Sequence, residues 1–148
     1  MDIGKAYDKL YRYVYFKTYK RETAEDIVQE TFLRYINRYG QNGGYNMKLM
    51  YTIAKNLCTD EFRRGKTVAL PEDYDFAQVH EGPDILEKMI VDEALDNLSH
   101  EEKELLLLRY VNEESVSTMS DLYRCSRFSM YRKLKNALNK FRDSLEVK

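Results

Sequence analysis

Apolar residues recur every three or four positions on both sides of residues 65–84, a stretch that contains both prolines of the chain. Such spacing places the apolar side chains of each block on one face of an α-helix. The proline-containing, acidic stretch between the blocks is typical of a linker. We therefore predict an all-α fold of two small helical domains joined by a flexible linker. The predicted boundaries are 1–65 for the first domain, 66–88 for the acidic linker and 89–148 for the second domain.

The first block predicts three helices, and the positions of their ends follow from turn and capping residues. Thr23 is the expected N-cap of the second helix, because Asp26 stands three residues later in a pattern close to a capping box. The glycine-rich segment 40–44 predicts a loop before the third helix. The predicted helices are Ile3–Tyr19, Thr23–Tyr39 and Asn46–Arg64.

The second block predicts a helix-turn-helix near its end. A helix is expected from about Asp84, and a further helix is expected to begin at Ser99, which has Glu102 at the capping-box position. A short helix over 117–123 and a long amphipathic helix over 127–145, with Ser126 as its N-cap, complete the pattern. In a helix-turn-helix the second helix enters the DNA major groove. Packing in a helical bundle, with the charges only solvated, is the alternative.

The distribution of charge separates the chain into three parts. Residues 1–65 carry 12 Lys and Arg against 8 Asp and Glu, residues 66–122 carry 4 against 15, and residues 123–148 carry 8 against 2. Two basic blocks therefore flank an acidic middle, although the net charge of the whole chain is only −1. This pattern fits two surfaces that meet phosphate, while solvated helix faces remain the alternative.

The second block resembles region four of bacterial sigma factors, the domain that binds the upstream promoter element. It keeps the family's Leu-Arg-Tyr triplet at 108–110, together with Ser115 and Ser126 at the family's spacing. It departs from the family at Arg124 and Phe128, where glycine is common. The resemblance implies binding of upstream promoter DNA by the turn and the last helix, through Arg124, Ser126, Arg127, Ser129, Tyr131, Arg132, Lys133 and Lys135.

The run Ala24–Arg34 resembles the helix of sigma region two that docks on the coiled coil of the largest subunit of RNA polymerase. It reads AEDIVQETFLR, close to the family's Ala-Glu-Asp-Leu-Val-Gln-Glu-Thr-Phe-Leu. Helical spacing puts Leu33 on a polar stripe opposite the apolar face, which suits a partner interface. The resemblance implies polymerase binding by Asp26, Gln29, Glu30, Phe32 and Leu33.

The run Tyr51–Arg64 resembles the part of region two that contacts the downstream promoter element and the melted strand. The tryptophan that commonly precedes this run in the family is missing here. Tyr45 is a candidate stacking platform, with core packing as the alternative, and core packing is favoured for Tyr51. The resemblance implies DNA contacts by Tyr45, Lys48, Lys55, Asn56, Asp60, Arg63 and Arg64.

Together these runs identify the chain as similar to sigma factors of the extracytoplasmic-function (ECF) type. The resemblance implies a non-enzymatic, cytoplasmic transcription factor that binds core RNA polymerase and promoter DNA, with an anti-sigma protein as a further hypothetical partner. A degenerate sigma-like coactivator and a plain helix-turn-helix regulator remain alternatives. Because the sequence has no catalytic constellation, phosphate-binding glycine loop, metal-ligand cluster or long apolar run, we expect no catalysis, no cofactor or metal, and no membrane insertion.

Overall fold

The structure of the chain is a computed structural model that describes residues 2–40, 43–64 and 95–146. The chain divides into two compact units, residues 1–72 and 73–148. All regular elements within the described ranges are helical, which confirms the all-α prediction. The helix predicted from Asp84 lies outside the described residues.

In its described residues the first unit is a bundle of three helices, each of which packs against the other two. The helices are α1 (Ile3–Thr18), α2 (Arg21–Tyr39) and α3 (Met47–Arg63). Leu10 of α1, Val28 of α2 and Met50 of α3 are completely buried between them. Tyr51 is also completely buried, with its ring centroid 5.0 Å from that of Tyr13 in an edge-on arrangement. Core packing of Tyr51 is therefore confirmed.

The start of α2 differs from the prediction. Thr23 does not cap this helix, because α2 already begins at Arg21 and its N-cap position is Lys20, which makes no side-chain capping hydrogen bond. The chain reverses between α1 and α2 through only two residues, and the first of them, Tyr19, adopts a left-handed conformation at φ 58°. This tight reversal, and not a capping side chain, determines where α2 begins.

In the second unit, the structure describes helices and one π-helical turn within residues 95–146. They are α4 (His100–Leu106), the π-helical turn (Leu107–Val111), α5 (Val116–Leu122) and α6 (Arg127–Glu146). The predicted apolar stripe of α6 is buried at Met130, Leu134 and Ala137. Helix α5 begins one residue earlier than predicted, because the Ser115 hydroxyl accepts a hydrogen bond from the Thr118 amide at 3.1 Å.

The capping box predicted at Ser99 is confirmed. The Glu102 amide donates to the Ser99 hydroxyl at 3.1 Å, and the Ser99 amide donates to a Glu102 carboxylate oxygen at 2.9 Å. The second carboxylate oxygen lies 3.0 Å from Nζ of Lys140 on α6. The hydrogen bond from the Ser99 backbone lowers the pKa of Glu102 below its ordinary value of 4.5, and Lys140 acts in the same direction, while burial opposes both.

The lowered pKa of Glu102 predicts that the second unit loses stability in acid. A carboxyl group whose pKa is lower in the folded state contributes stability above its unfolded pKa, and that contribution disappears as the pH falls through the folded value. We expect Glu102→Gln to reduce this loss, since glutamine retains hydrogen-bonding groups but does not titrate. Urea unfolding of both proteins between pH 7 and pH 3, followed by circular dichroism, measures the difference. Identical pH dependence in the two proteins would contradict the prediction.

Candidate functional site

The outer face of α2 exposes an apolar side chain among polar ones. The Leu33 side chain is 58% exposed, and Asp26 and Gln29 on the same helix are exposed as well. Glu30 is half-buried, and its carboxylate lies 2.9 Å from Nε of Arg34 in an i,i+4 ion pair. Four of the five residues predicted to bind polymerase therefore lie on neighbouring positions of one helix surface, which we call the α2 face.

Phe32, the fifth of these residues, lies in a different environment. Its half-buried ring packs against Tyr7 of α1, with centroids 6.2 Å apart, and edge-on against Tyr45, with centroids 5.4 Å apart. Residues 32 and 33 point in different directions because successive side chains on a helix are about 100° apart. The structure thus separates Phe32 from the α2 face and places it in an aromatic cluster.

The loop before α3 is held by a tyrosine of α2. The hydroxyl of Tyr35 donates to the carbonyl of Gly44 at 3.1 Å and accepts a hydrogen bond from the amide of Asn46 at 2.9 Å. Tyr45, between these two loop residues, is half-buried with its ring centroid 5.8 Å from that of Tyr35. Tyr45 is therefore partly packed and partly accessible, and the loop has a defined position relative to α3.

The outward surface of α3 is polar and carries three cations. Its exposed members, which we call the α3 face, are Lys48, Thr52, Lys55, Asn56, Thr59 and Arg63. They lie opposite the buried side of the helix, which includes Met50, Ala54 and Cys58. Phe62 is 46% exposed and lies one turn beyond Thr59 and Cys58, at the border between the two sides. The sequence interpretation did not select Phe62, because its spacing also fits a core position.

Asp60 and Arg64 do not join the α3 face. Both line a groove of about 310 Å³ between α2 and α3, together with Asp26 and Glu30 of the α2 face. A guanidinium nitrogen of Arg64 lies 3.7 Å from a carboxylate oxygen of Glu61 in the same groove. The structure therefore groups two residues predicted to contact DNA with residues predicted to contact polymerase.

The turn between α5 and α6 contains a left-handed residue followed by a side-chain cap. Arg124, which stands where glycine is common in the family, adopts a left-handed conformation at φ 54°. Ser126 caps α6, because its hydroxyl accepts a hydrogen bond from the Ser129 amide at 3.0 Å. The predicted cap at Ser126 is therefore confirmed.

We expect Arg124→Gly to stabilise the second unit by about 1 kcal/mol, because a left-handed conformation costs a residue with a Cβ atom roughly this much. Arg124→Ala is the matched control, since it removes the same side chain but keeps the Cβ atom. Urea unfolding of the three proteins gives the free energies of unfolding. Equal stabilities of the glycine and alanine variants would contradict the prediction.

The first turns of α6 expose aromatic and basic side chains together. Phe128 is 75% exposed and Tyr131 is 60% exposed, while Arg132 and Lys135 lie on the same exposed surface. We call Phe128, Tyr131, Arg132 and Lys135 the α6 face. The guanidinium carbon of Arg132 lies 5.8 Å from the ring centroid of Phe128. Phe128 was missed as a candidate, although its departure from the family's glycine was the available signal.

The remaining residues predicted on this helix have other environments. Lys133 is half-buried, and its Nζ lies 3.5 Å from a carboxylate oxygen of Glu101 on α4. Arg127 is exposed and donates to the hydroxyl of Ser117 on α5 at 3.3 Å. Ser129 is half-buried at the cap. Lys133 thus connects α6 to α4, whereas the α6 face points away from the unit.

Within the described ranges, no group of three or more His, Cys, Asp or Glu side chains could hold a metal ion. No helix in those ranges is long and apolar enough to cross a membrane.

Comparison with known proteins gives matches in both sequence and structure. Residues 3–67 match the sigma-70 region 2 family. The ECF RNA polymerase sigma factor BldN of Streptomyces coelicolor is 32% identical over 130 residues, which cover 77% of this chain and 49% of BldN. The chain thus spans about half the length of this curated relative.

A solved structure shares the fold at lower identity. It is the sigma factor RpoE of Bartonella quintana, crystallised with the anti-sigma factor NepR. The match has a TM-score of 0.64 and 21% identity, and it covers 97% of this chain and 93% of RpoE. The region 2 match includes the whole of α1, α2 and α3, and the identity to BldN extends the relationship over three quarters of the chain. Residues 3–67 are therefore a sigma-70 region 2 domain, and the chain as a whole is similar to ECF sigma factors.

Proposed function

We propose that this chain is a sigma subunit that binds core RNA polymerase and directs it to particular promoters. The observation that carries the proposal is the pair of surfaces on the unit that matches sigma-70 region 2. The α2 face combines an exposed leucine with acids, which suits a protein partner. The α3 face combines cations with hydroxyl and amide groups, which suits a phosphate backbone.

The second unit supports the same proposal. Helix α6 follows a tight turn, is capped by Ser126 and exposes its first turns. This is the form of a recognition helix, whose first turns face the base edges of the major groove. Arg132 and Lys135 of the α6 face supply side chains that can bind guanine or phosphate. We assign the α6 face to the upstream promoter element and the α3 face to the downstream element. This role places the action of the chain in the cytoplasm and requires no chemistry from it.

A coactivator that binds polymerase but reads DNA poorly is the second candidate. Two departures from the family favour it: the missing tryptophan before Tyr51, and Arg124 in place of the turn glycine. Such a protein would bind core polymerase through the α2 face without starting transcripts of its own. A plain helix-turn-helix regulator explains less, because it assigns no role to the first unit.

Transcription in vitro with purified core RNA polymerase and a library of promoter fragments tests the proposal. Discrete new transcripts that depend on the chain are expected, and alignment of their start sites would define both promoter elements. Binding to core polymerase without transcripts would favour the coactivator. Absence of binding to core polymerase would overturn the proposal.

An anti-sigma partner is a further part of the proposal. The support is by analogy, since RpoE was crystallised with the anti-sigma factor NepR. We expect an inhibitor to co-purify with the chain from its host and to suppress its transcription in vitro. Constitutive activity in the host with no co-purifying inhibitor would contradict this expectation.

A further inference from the structure

Phe128 is the most exposed of the large apolar side chains in the described part of the chain, at 75%. Single exposed apolar residues are common on protein surfaces and need no explanation by themselves. Phe128, however, is the second residue of α6, and the first turn of a recognition helix is the part that faces base edges. Its position therefore gives this ring a candidate ligand that exposed apolar residues outside the α6 face lack.

The ring is paired with a cation on the same surface. Arg132 follows Phe128 by four residues, so both side chains lie on one side of α6, and the guanidinium carbon is 5.8 Å from the ring centroid. At this distance a cation is attracted to an aromatic ring, which limits the number of positions that the guanidinium samples. Phe128 and Arg132 therefore form one composite surface, apolar on one side and a hydrogen-bond donor on the other.

The major groove offers one apolar group and several acceptors. The apolar group is the C5 methyl of thymine, which phenylalanine can contact, and guanine presents O6 and N7 to a bidentate arginine. Successive bases on a strand are about 3.4 Å apart along the axis. The 5.8 Å between the ring and the guanidinium therefore corresponds to between one and two base steps.

We propose that Phe128 and Arg132 read a thymine that lies within two base steps of a guanine in the upstream promoter element. Phe128 contacts the thymine methyl, and Arg132 donates to the guanine acceptors. This inference rests on the proposed function and adds to it a residue that determines sequence specificity. The surrounding basic residues of the turn and α6, Arg124, Arg127 and Lys135, favour DNA over a second protein as the ligand of this surface.

Replacement of single thymines by 2′-deoxyuridine tests the proposal, because it removes only the methyl group. The full chain is assembled with core polymerase, and the affinity of this complex for a promoter duplex is measured by competition. The duplex is one found by the transcription experiment, and the salt concentration is low enough for every variant to bind. Each thymine of the upstream element is replaced in turn. We expect one position to weaken binding roughly fourfold, which corresponds to the burial of one methyl group.

The Phe128→Ala variant is expected to bind the thymine and deoxyuridine promoters equally at that position. Lys135→Ala is the matched control, and it should weaken binding to both promoters alike while keeping the ratio between them. Circular dichroism checks that both variants fold, which is expected because both side chains are exposed.

Three results would overturn the inference while leaving the proposed function intact. They are an upstream element at which no thymine replacement affects the wild-type complex, a Phe128→Ala variant that keeps the discrimination, and a Phe128→Ala variant that loses affinity for core polymerase instead. The last result would assign Phe128 to a protein contact. If the chain supports no promoter-specific transcription at all, the proposed function itself fails.

Discussion

Replacement of Leu33 by aspartate is expected to weaken binding of the chain to core RNA polymerase by at least tenfold without affecting its fold. Burial of a leucine side chain in an interface contributes about 1.5–3 kcal/mol, and a tenfold change in affinity corresponds to about 1.4 kcal/mol. The variant loses this contribution and also brings an additional carboxylate to a surface that already carries Asp26 and Glu30. The binding constant is measured by titrating labelled chain with core polymerase.

Ile3→Asp is the matched control for this experiment. Ile3 is 57% exposed on α1, so the control makes the same chemical change at almost the same exposure but on another helix. We expect Ile3→Asp to bind core polymerase like the wild type, and both variants to unfold at nearly the wild-type urea concentration. Equal losses of affinity in the two variants would show that the α2 face is not the docking surface.

Replacement of Lys55 by glutamate is expected to have the second large effect, on promoter complexes instead of polymerase binding. Lys55 is exposed at the centre of the α3 face, where a cation can meet the phosphate backbone. The variant should form several-fold fewer competitor-resistant promoter complexes, and the slope of log affinity against log salt should fall by about one for each lost phosphate contact. Affinity for core polymerase should not change.

Arg64→Glu provides the comparison, because it makes the same change of charge at the C-cap of the same helix. Arg64 lies in the groove towards α2 beside Glu61. We expect this variant to retain the salt dependence of the wild-type promoter complex. An effect of Arg64→Glu equal to that of Lys55→Glu would instead return Arg64 to the DNA-contacting surface, as the resemblance to the family implied.

The opposite placement of Lys55 and Arg64 shows how far a linear pattern can assign function. Both belong to the run Tyr51–Arg64, and the resemblance to the family implied the same role for both. In the bundle the two side chains leave α3 in directions about 180° apart, since nine residues correspond to two and a half turns. One therefore points outwards and the other towards α2.

Local features were determined by the sequence alone. Helical spacing predicted the buried stripe of α6, and the capping box at Ser99 and the cap at Ser126 were predicted from residue type and position. Each of these features depends on interactions within a few residues, so neighbouring side chains contain the information. The sequence left open whether Arg124 adopts a positive φ, and the structure shows that it does.

The tertiary structure decided which neighbour each helix face meets. It placed the start of α2 at Arg21 and directed the side chain of Phe32 into an aromatic cluster. It also paired Lys133 with Glu101 and left Phe128 exposed beside Arg132. Periodicity tells which residues share one side of a helix, but it carries no information about the element that packs there. The surfaces available to a partner are those that remain after the helices of each unit have packed together, and only the folded chain defines them.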